Sequence, residues 1–364
     1  MFLLITDTHF GISSFNKTKF EQMISYFEKE VFPFIKENKI KHVFHLGDLV
    51  DKRTTIDIYL DFQIKEKFIK FFENNKVNLY LIVGNHDMYF KSQRIPNYQY
   101  SNFQGYKYVH VVNDITELQI KRFKFLLVPW IVSYEDVERI KQSKVDFLLG
   151  HLEISGIELL NGVFSSGIDL NVIKNSAYTI FSGHYHNQYQ CGNLIYIGTP
   201  YQLMWLDYGD RKGFWLIKDI DNYEFVENTF SPKFYKIVYE EKDDQILFKI
   251  KDGISENVTT DFSKIKKIVK NNVVKFIIKE FSSKEVLDNV LEQLSKENLY
   301  SFEVISKEEV DAWKTVQEFS EQNVKSIFDI LNDYLNSKAD LTISDKEFIF
   351  NEFKKLYTEV NVEI

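Results

Sequence analysis

Through the first two hundred residues, short apolar runs alternate with longer stretches in which apolar side chains recur every three to four positions. The runs at 2–5, 42–46, 79–83, 125–128, 147–149, 179–181 and 194–197 read as strands. Met23, Phe27, Val31, Phe34 and Ile35 line one face of a helix over 17–38. Ile58, Phe62, Phe68 and Phe71 do the same over 56–75. Strands alternating with helices predict an α/β fold of two packed sheets flanked by helices.

Beyond residue 199 the pattern changes. Strands at 234–239 and 273–278 surround a Lys-rich interval, 264–275. A helix follows from Ser282/Ser283 to Leu294, then a strand at 300–305, which together predict a small α+β capping domain built on a β-α-β unit. The last sixty residues are helical in pattern. Val324, Ile327, Phe328, Leu331, Tyr334 and Leu335 form one stripe. Ser344 with Glu347 is a capping box opening a helix with Ile349, Phe353, Leu356 and Tyr357 inward. The chain thus divides at 1–215, 216–305 and 306–364.

Composition narrows the class. The 364 residues are 44% hydrophobic and 27% charged, and 14 Gly with 5 Pro exclude a fibrous or largely disordered chain. The single cysteine, Cys191, excludes an internal disulfide framework and a thiolate zinc cluster, and suits a reducing compartment. No run of apolar residues is long enough to span a membrane, and the opening run is too short for a signal peptide, so a cytoplasmic protein is expected. The net charge of −8 argues against coating nucleic acid through bulk charge. Seven lysines against 13 acids place −6 of it in 306–364, leaving −2 on the rest. An anionic substrate must therefore be held by local cations or metals.

Five clusters carry the chemistry: Asp7-Thr-His9, Gly47-Asp48-Leu-Val-Asp51, Gly84-Asn85-His86-Asp87, Gly150-His151 and Gly183-His184-Tyr-His186. Each follows an apolar run, and strand ends feeding loops are where an α/β sheet gathers ligands from distant parts of the chain. Five of the eight histidines fall in these clusters, which sets them apart from chance Asp-x-His or Gly-His pairs. His42, His45 and His110 lie outside and read as ordinary strand or surface residues. Imidazole mixed with carboxylate suits manganese, iron or zinc better than magnesium. Seven ligands with one shared carboxylate are what a two-metal phosphoryl-transfer centre needs.

This ordered set resembles the calcineurin-like metallophosphoesterase superfamily. More finely, it is similar to the nuclease subunits of SbcCD-type repair and recombination complexes, those of T-even-like bacteriophages among them. The finer likeness rests on DTHFG, IVGNHDMYFK, VPW at 128–130, GHLEISG at 150–156, and YIGTPYQL at 196–203 followed by RKGFW. It implies that Asp7, His9, Asp48 and His186 hold one metal, with Asp48 bridging to a second held by Asn85, His151 and His184. The usual metal of such proteins is Mn2+, two per site, with Mg2+ or other divalent ions as substitutes.

The resemblance further implies a DNA nuclease, acting as a 3′-to-5′ exonuclease on duplex ends and an endonuclease on single strands. His86 would serve as the catalytic group that stabilises charge or protonates the leaving 3′-oxygen. Asp51 would orient that imidazole, or else simply cap the following helix. Asp87 is expected as a hydrogen-bond acceptor behind the ligands. Arg53, Tyr89, Lys91 and Arg94, with Phe90 interleaved, would contact DNA, or form an ordinary solvated loop. The lysines at 264, 266, 267, 270 and 275 carry the same two readings. The implied partners are DNA, a second copy of the chain paired through 56–75 and 92–103, and an SMC-like coiled-coil ATPase of SbcC type gripped by the C-terminal helical arm. A phosphomonoesterase or protein phosphatase of the same superfamily is the alternative. Such phosphatases carry Arg-Gly directly after GDxVD, where this chain has Lys52-Arg53.

Overall fold

The structure, a computed structural model, describes residues 1–12, 16–160, 163–242, 245–270, 272–297, 301–306, 335, 346, 349 and 350. The chain divides into two compact units, Met1–Val304 and Ile305–Ile364. The arm helices expected over 324–335 and after Ser344 lie outside the described residues, apart from Leu335, Lys346, Ile349 and Phe350.

Two six-stranded sheets form the first part of the larger unit. One sets Asn222–Glu227, Gly213–Asp219, Phe2–Ile5, His42–His45, Asn78–Ile82 and Val109–Val112 side by side, the last four parallel. The other runs Tyr189–Cys191, Leu194–Tyr196, Ala177–Gly183, Val145–His151, Phe123–Val128 and Thr116–Ile120, with the inner four parallel. Alternation along each strand sorts the apolar side chains to two faces. Phe2, Leu4, Phe44, Phe125, Phe147 and Phe181 fill the layer between the sheets. Leu3, Ile5, Val43 and Leu79 face the helices on the outside. The first sheet continues to Glu227, because the hairpin 213–227 pairs antiparallel onto Phe2–Ile5; the change of texture after 199 marks a long loop, not the end of the sheet.

The two long helices depart from a plain 3.6-residue period. Residues 17–37 run as one helix with a π-turn at Phe27–Val31, and 58–75 as another with a π-turn at Ile64–Ile69. The extra residue in the second π-turn shifts its buried face to Leu60, Ile64, Phe68, Ile69 and Phe72. Ile58 and Phe62, which the spacing puts on one face with Phe68, are 87% and 55% exposed while Phe68 is buried.

A five-stranded sheet with two helices completes this unit. Its order is Glu256–Thr259, Gln245–Lys251, Phe234–Lys242, Val273–Glu280 and Ser301–Ile305. The helix Lys284–Ser295 starts at an N-cap Ser283, as expected. A second helix, Phe262–Val269, occupies the Lys-rich interval and buries Ile265 and Val269 while Lys264 and Lys267 stay exposed. No helix among the described residues is long and apolar enough to cross a membrane.

Candidate metal centre

The five clusters converge at the strand ends of both sheets. Asp7, His9 and His186 form one group of donor atoms, and Asp48, His151 and His184 another, each lying within 4.8 Å of one another. Asp48 joins them: its Oδ2 stands 3.7 Å from His9 Nε2 and 3.3 Å from His151 Nε2. Asn85 Oδ1 closes the second group, 3.0 Å from His151 Nε2 and 3.2 Å from His184 Nδ1. His9 Nε2 and His186 Nε2 face each other at 3.2 Å.

The loops hold these groups in conformations that side-chain-bearing residues rarely adopt. Asp7, His9, Asp48 and His184 all have positive φ, at 50°, 43°, 54° and 92°. Such strain persists only where surrounding contacts over-determine it, and it clusters at functional sites. Crowding requires glycine at Gly84 and Gly47, the latter also at a φ of 106°. A Cβ on Gly84 would lie 2.2 Å from Asp48 Oδ1, and one on Gly47 2.2 Å from His151 Nδ1.

Asp87 ties the loops together from behind, as expected of it. Its carboxylate accepts from the backbone N–H groups of Gly84, Asp48, Leu49 and Val50 at 2.8–3.3 Å. Beneath the site, the buried His45 ring bonds Thr8 Oγ1 at 3.0 Å, and that hydroxyl donates to Leu49 O. His45 is thus a brace for the Asp7–His9 loop rather than an ordinary strand histidine. Burial pushes its pKa down to about 3, so the ring is neutral.

The tautomers follow from fixed acceptors. His151 Nδ1 donates to Leu46 O at 2.7 Å, which leaves the Nε2 lone pair for the site. His86 Nδ1 donates to Asp51 O at 2.6 Å, which leaves Nε2 to meet a substrate. The Asp51 carboxylate stands beside both rings, with Oδ1 3.5 Å from His9 Nδ1 and a carboxylate oxygen within 4.8 Å of donor nitrogens of His9 and His86. Asp51 therefore holds the His86 ring through its carbonyl, while its carboxylate stands nearer His9.

The donor set fits divalent cations. Asp7 and Asp48 are fully enclosed acids whose pKa values stay low; burial opposes this, but His151 and His9 outweigh it. Burial would likewise lower His9, yet Asp51, Asp7 and Asp48 raise it to about 10, and Asp48 with Asp7 raises His151 to about 9. In other words, the buried carboxylates demand positive charge at the points where the imidazole nitrogens converge. Mixed nitrogen and oxygen donors at those points suit manganese, iron or zinc.

Around the centre, Trp130 lies 5.0 Å from the His184 ring. The Arg94 side chain is only 10% exposed. Its guanidinium pairs with Asp136 and donates to Trp130 O at 2.8 Å, so it fixes the Trp130 loop. Arg53 and Tyr89 line a cavity of about 200 Å³, and Tyr89, Phe90 and Lys91 are exposed. Lys275 is drawn to Glu303 and over the Trp205 ring, and Lys266 to Glu297. Sequence reasoning missed Asp207, Tyr201 and Lys212, although two of these stand in the YIGTPYQL and RKGFW segments. Tyr201 donates to Thr8 O at 2.8 Å.

The calcineurin-like phosphoesterase family model matches residues 1–188, more than half of the chain. The chain belongs to this family. Its fold and its convergent acid–histidine loops are those of a metallophosphoesterase, a hydrolase class that implies divalent metals. Among curated relatives, it is 26% identical to exonuclease subunit 1 of Enterobacteria phage T4 over 342 residues, 91% of each chain. It is 25% identical to the DNA double-strand break repair protein Mre11 of Nanoarchaeum equitans over 335 residues, 78% of this chain and 89% of that one.

Proposed function

We propose that this metallophosphoesterase is a DNA nuclease holding two Mn2+, a 3′-to-5′ exonuclease on duplex ends and an endonuclease on single strands. The observation that carries the reading is the shared Asp48 carboxylate between two donor groups, with His86 at their edge. The names of the two relatives, an exonuclease subunit and a break-repair protein, support DNA as substrate. Asp7, His9, Asp48 and His186 would hold one ion, and Asp48, Asn85, His151 and His184 the other. What such ions supply, when bound, is Lewis acidity toward phosphoryl oxygens and an acidified water as nucleophile.

The chain's own residues do the rest. Gly84 and Asp87 fix the loop that presents Asn85 and His86. The Asp51 carbonyl accepts from His86 Nδ1 and locks the ring, so that in the doubly protonated imidazolium the proton on Nε2 is the one that stabilises, or passes to, the leaving 3′-oxygen. Arg53, Tyr89 and Lys91 would contact the nucleic acid; that Arg53 and Tyr89 line one cavity and Lys91 is exposed supports this. The enzyme works as the catalytic subunit of an SbcCD-like assembly, as a dimer joined to a coiled-coil ATPase through residues 306–364. Its place of action is the cytoplasm, that of the host if the chain is phage-encoded.

The test is cleavage of end-labelled duplex, circular single-stranded DNA and a small phosphomonoester by the purified chain with Mn2+. Cleavage of both DNAs is expected. Turnover of the monoester alone would replace the nuclease reading with a phosphatase.

A further inference from the structure

A buried ion pair stands behind His186 and has no part in the donor groups themselves. The Lys212 side chain is only 4% exposed, and that of Asp207 is 1%. Lys212 Nζ donates to the backbone carbonyl of His186 at 2.7 Å and to Asp207 Oδ1 at 3.1 Å, and lies 3.3 Å from Asp210 Oδ2. Asp207 Oδ2 accepts from the N–H groups of Leu203 and Met204 at 2.7 and 3.0 Å. The remaining oxygen, Oδ1, is 3.9 Å from His186 Nδ1, on the side of the ring opposite the nitrogen that faces His9. A second grip on the same carbonyl comes from Thr199 N at 3.0 Å.

Taking a lysine and an aspartate out of water is costly unless their geometry is good and their remaining donors and acceptors are satisfied. Here the polar contacts of the two side chains end on His186 or on the 203–212 loop. That loop is also fastened to the five-stranded sheet: Trp205 packs edge-on against Phe234 at 4.8 Å, and Lys236 sits 4.5 Å over the Tyr208 ring. Gly209 packs against Gly253 so closely that neither position has room for a Cβ.

We propose that Asp207 and Lys212 are positioning residues for the metal centre, holding His186 by its carbonyl and by the far edge of its ring. Through them the five-stranded sheet is braced directly against one of the two metal sites. This rests on the metal-centre reading above and assigns the pair to the site that contains His186, not to the one that contains His151 and His184.

The experiment is Mn2+ titration of the full-length protein, followed by calorimetry and by the electron paramagnetic resonance signal of the bound ion, for wild type, Asp207→Asn and Lys212→Arg. Asp207→Asn keeps the shape and one acceptor for the loop but removes the charge. It should weaken one of the two sites roughly tenfold and leave the other unchanged, with circular dichroism and thermal melting close to wild type. Lys212→Arg, which keeps charge and donors, should retain more of the affinity. Wild-type affinity at both sites in Asp207→Asn overturns the proposal while leaving the metal reading intact, as does loss of fold in both variants, since the pair is then only structural. A wild-type protein that takes up no Mn2+ overturns both.

Discussion

The ring of His86 is anchored by the main chain of Asp51, not by its side chain: Nδ1 donates to the Asp51 carbonyl at 2.6 Å, while the carboxylate stands 3.5 Å from His9 Nδ1. Main chain and side chain of Asp51 thus do different things: the carbonyl fixes the His86 ring, and the carboxylate joins donor nitrogens of His9 and His86 within 4.8 Å.

That separation distinguishes their variants. His86→Ala should reduce DNA cleavage by at least about a hundredfold, the usual contribution of a positioned acid or base, with bound metal unchanged. Asp51→Asn keeps the carbonyl and should leave His86 in place, lowering Mn2+ affinity at the His9 site more than it slows saturated turnover. Metal content together with cleavage rate as a function of Mn2+ concentration separates the two. A saturated rate for Asp51→Asn as low as that of His86→Ala would show that the carboxylate acts on His86 after all.

Asp87 should matter for folding rather than for binding metal. Its carboxylate serves four backbone N–H groups from two loops, and truncation leaves them buried without an acceptor. Asp87→Ala should cost roughly 3 kcal/mol or more, since each orphaned group costs on the order of 1–3 kcal/mol before water relieves any of it. Urea denaturation of metal-free protein measures this without interference from the ions. A change within about 0.5 kcal/mol, the range of an ordinary surface substitution, would remove Asp87 from the scaffold.

Much of the centre was legible because its chemistry is local. Each candidate donor follows an apolar strand and a glycine or a tight turn, and the positive φ of Asp7, His9 and Asp48 is the backbone counterpart of those turns. What stayed hidden depends on contacts across the fold. Arg94 reads as a free cation until Asp136, 42 residues away, is placed beside it. Lys212 and Asp207 lie in a loop with no periodicity, and their roles exist only because His186 returns to meet them. The face of the 58–75 helix was misread because a π-turn adds a residue that no fixed period anticipates. Phe262, Ile265 and Val269 do carry helical spacing, but the lysines between them masked it.

Metal removal should destabilise the fold as well as stop turnover. Asp7, Asp48 and His151 are fully buried, so an ion that binds only the folded centre adds to its stability by mass action. At a free Mn2+ concentration a hundred times the dissociation constant, each site contributes about 2.7 kcal/mol. The melting temperature should therefore climb with the logarithm of Mn2+ concentration and fall on chelation. Asp48→Asn, which weakens both donor groups, should flatten that slope. A melting temperature indifferent to Mn2+ in the wild type would mean that no ion enters these groups.

The exposed apolar face at 56–62 offers a separate test, of self-association. Ile58, Tyr59 and Phe62 are exposed on one helix, and Tyr100 on the neighbouring helix Tyr98–Phe103. The two helices are tied by Tyr98 to Asp61 at 2.8 Å and by Lys65 to Asn102 at 2.8 Å, so they present a single surface. A cluster of large apolar side chains left in water on linked helices is the composition of an interface, and pairing through it would be two-fold. Ile58→Asp with Phe62→Asp should leave stability within about 1 kcal/mol, because neither side chain belongs to the core. It should convert dimer to monomer in sedimentation at micromolar protein, while single-strand cleavage by each copy persists. Sedimentation of the double variant identical to a dimeric wild type would move the interface elsewhere on the molecule.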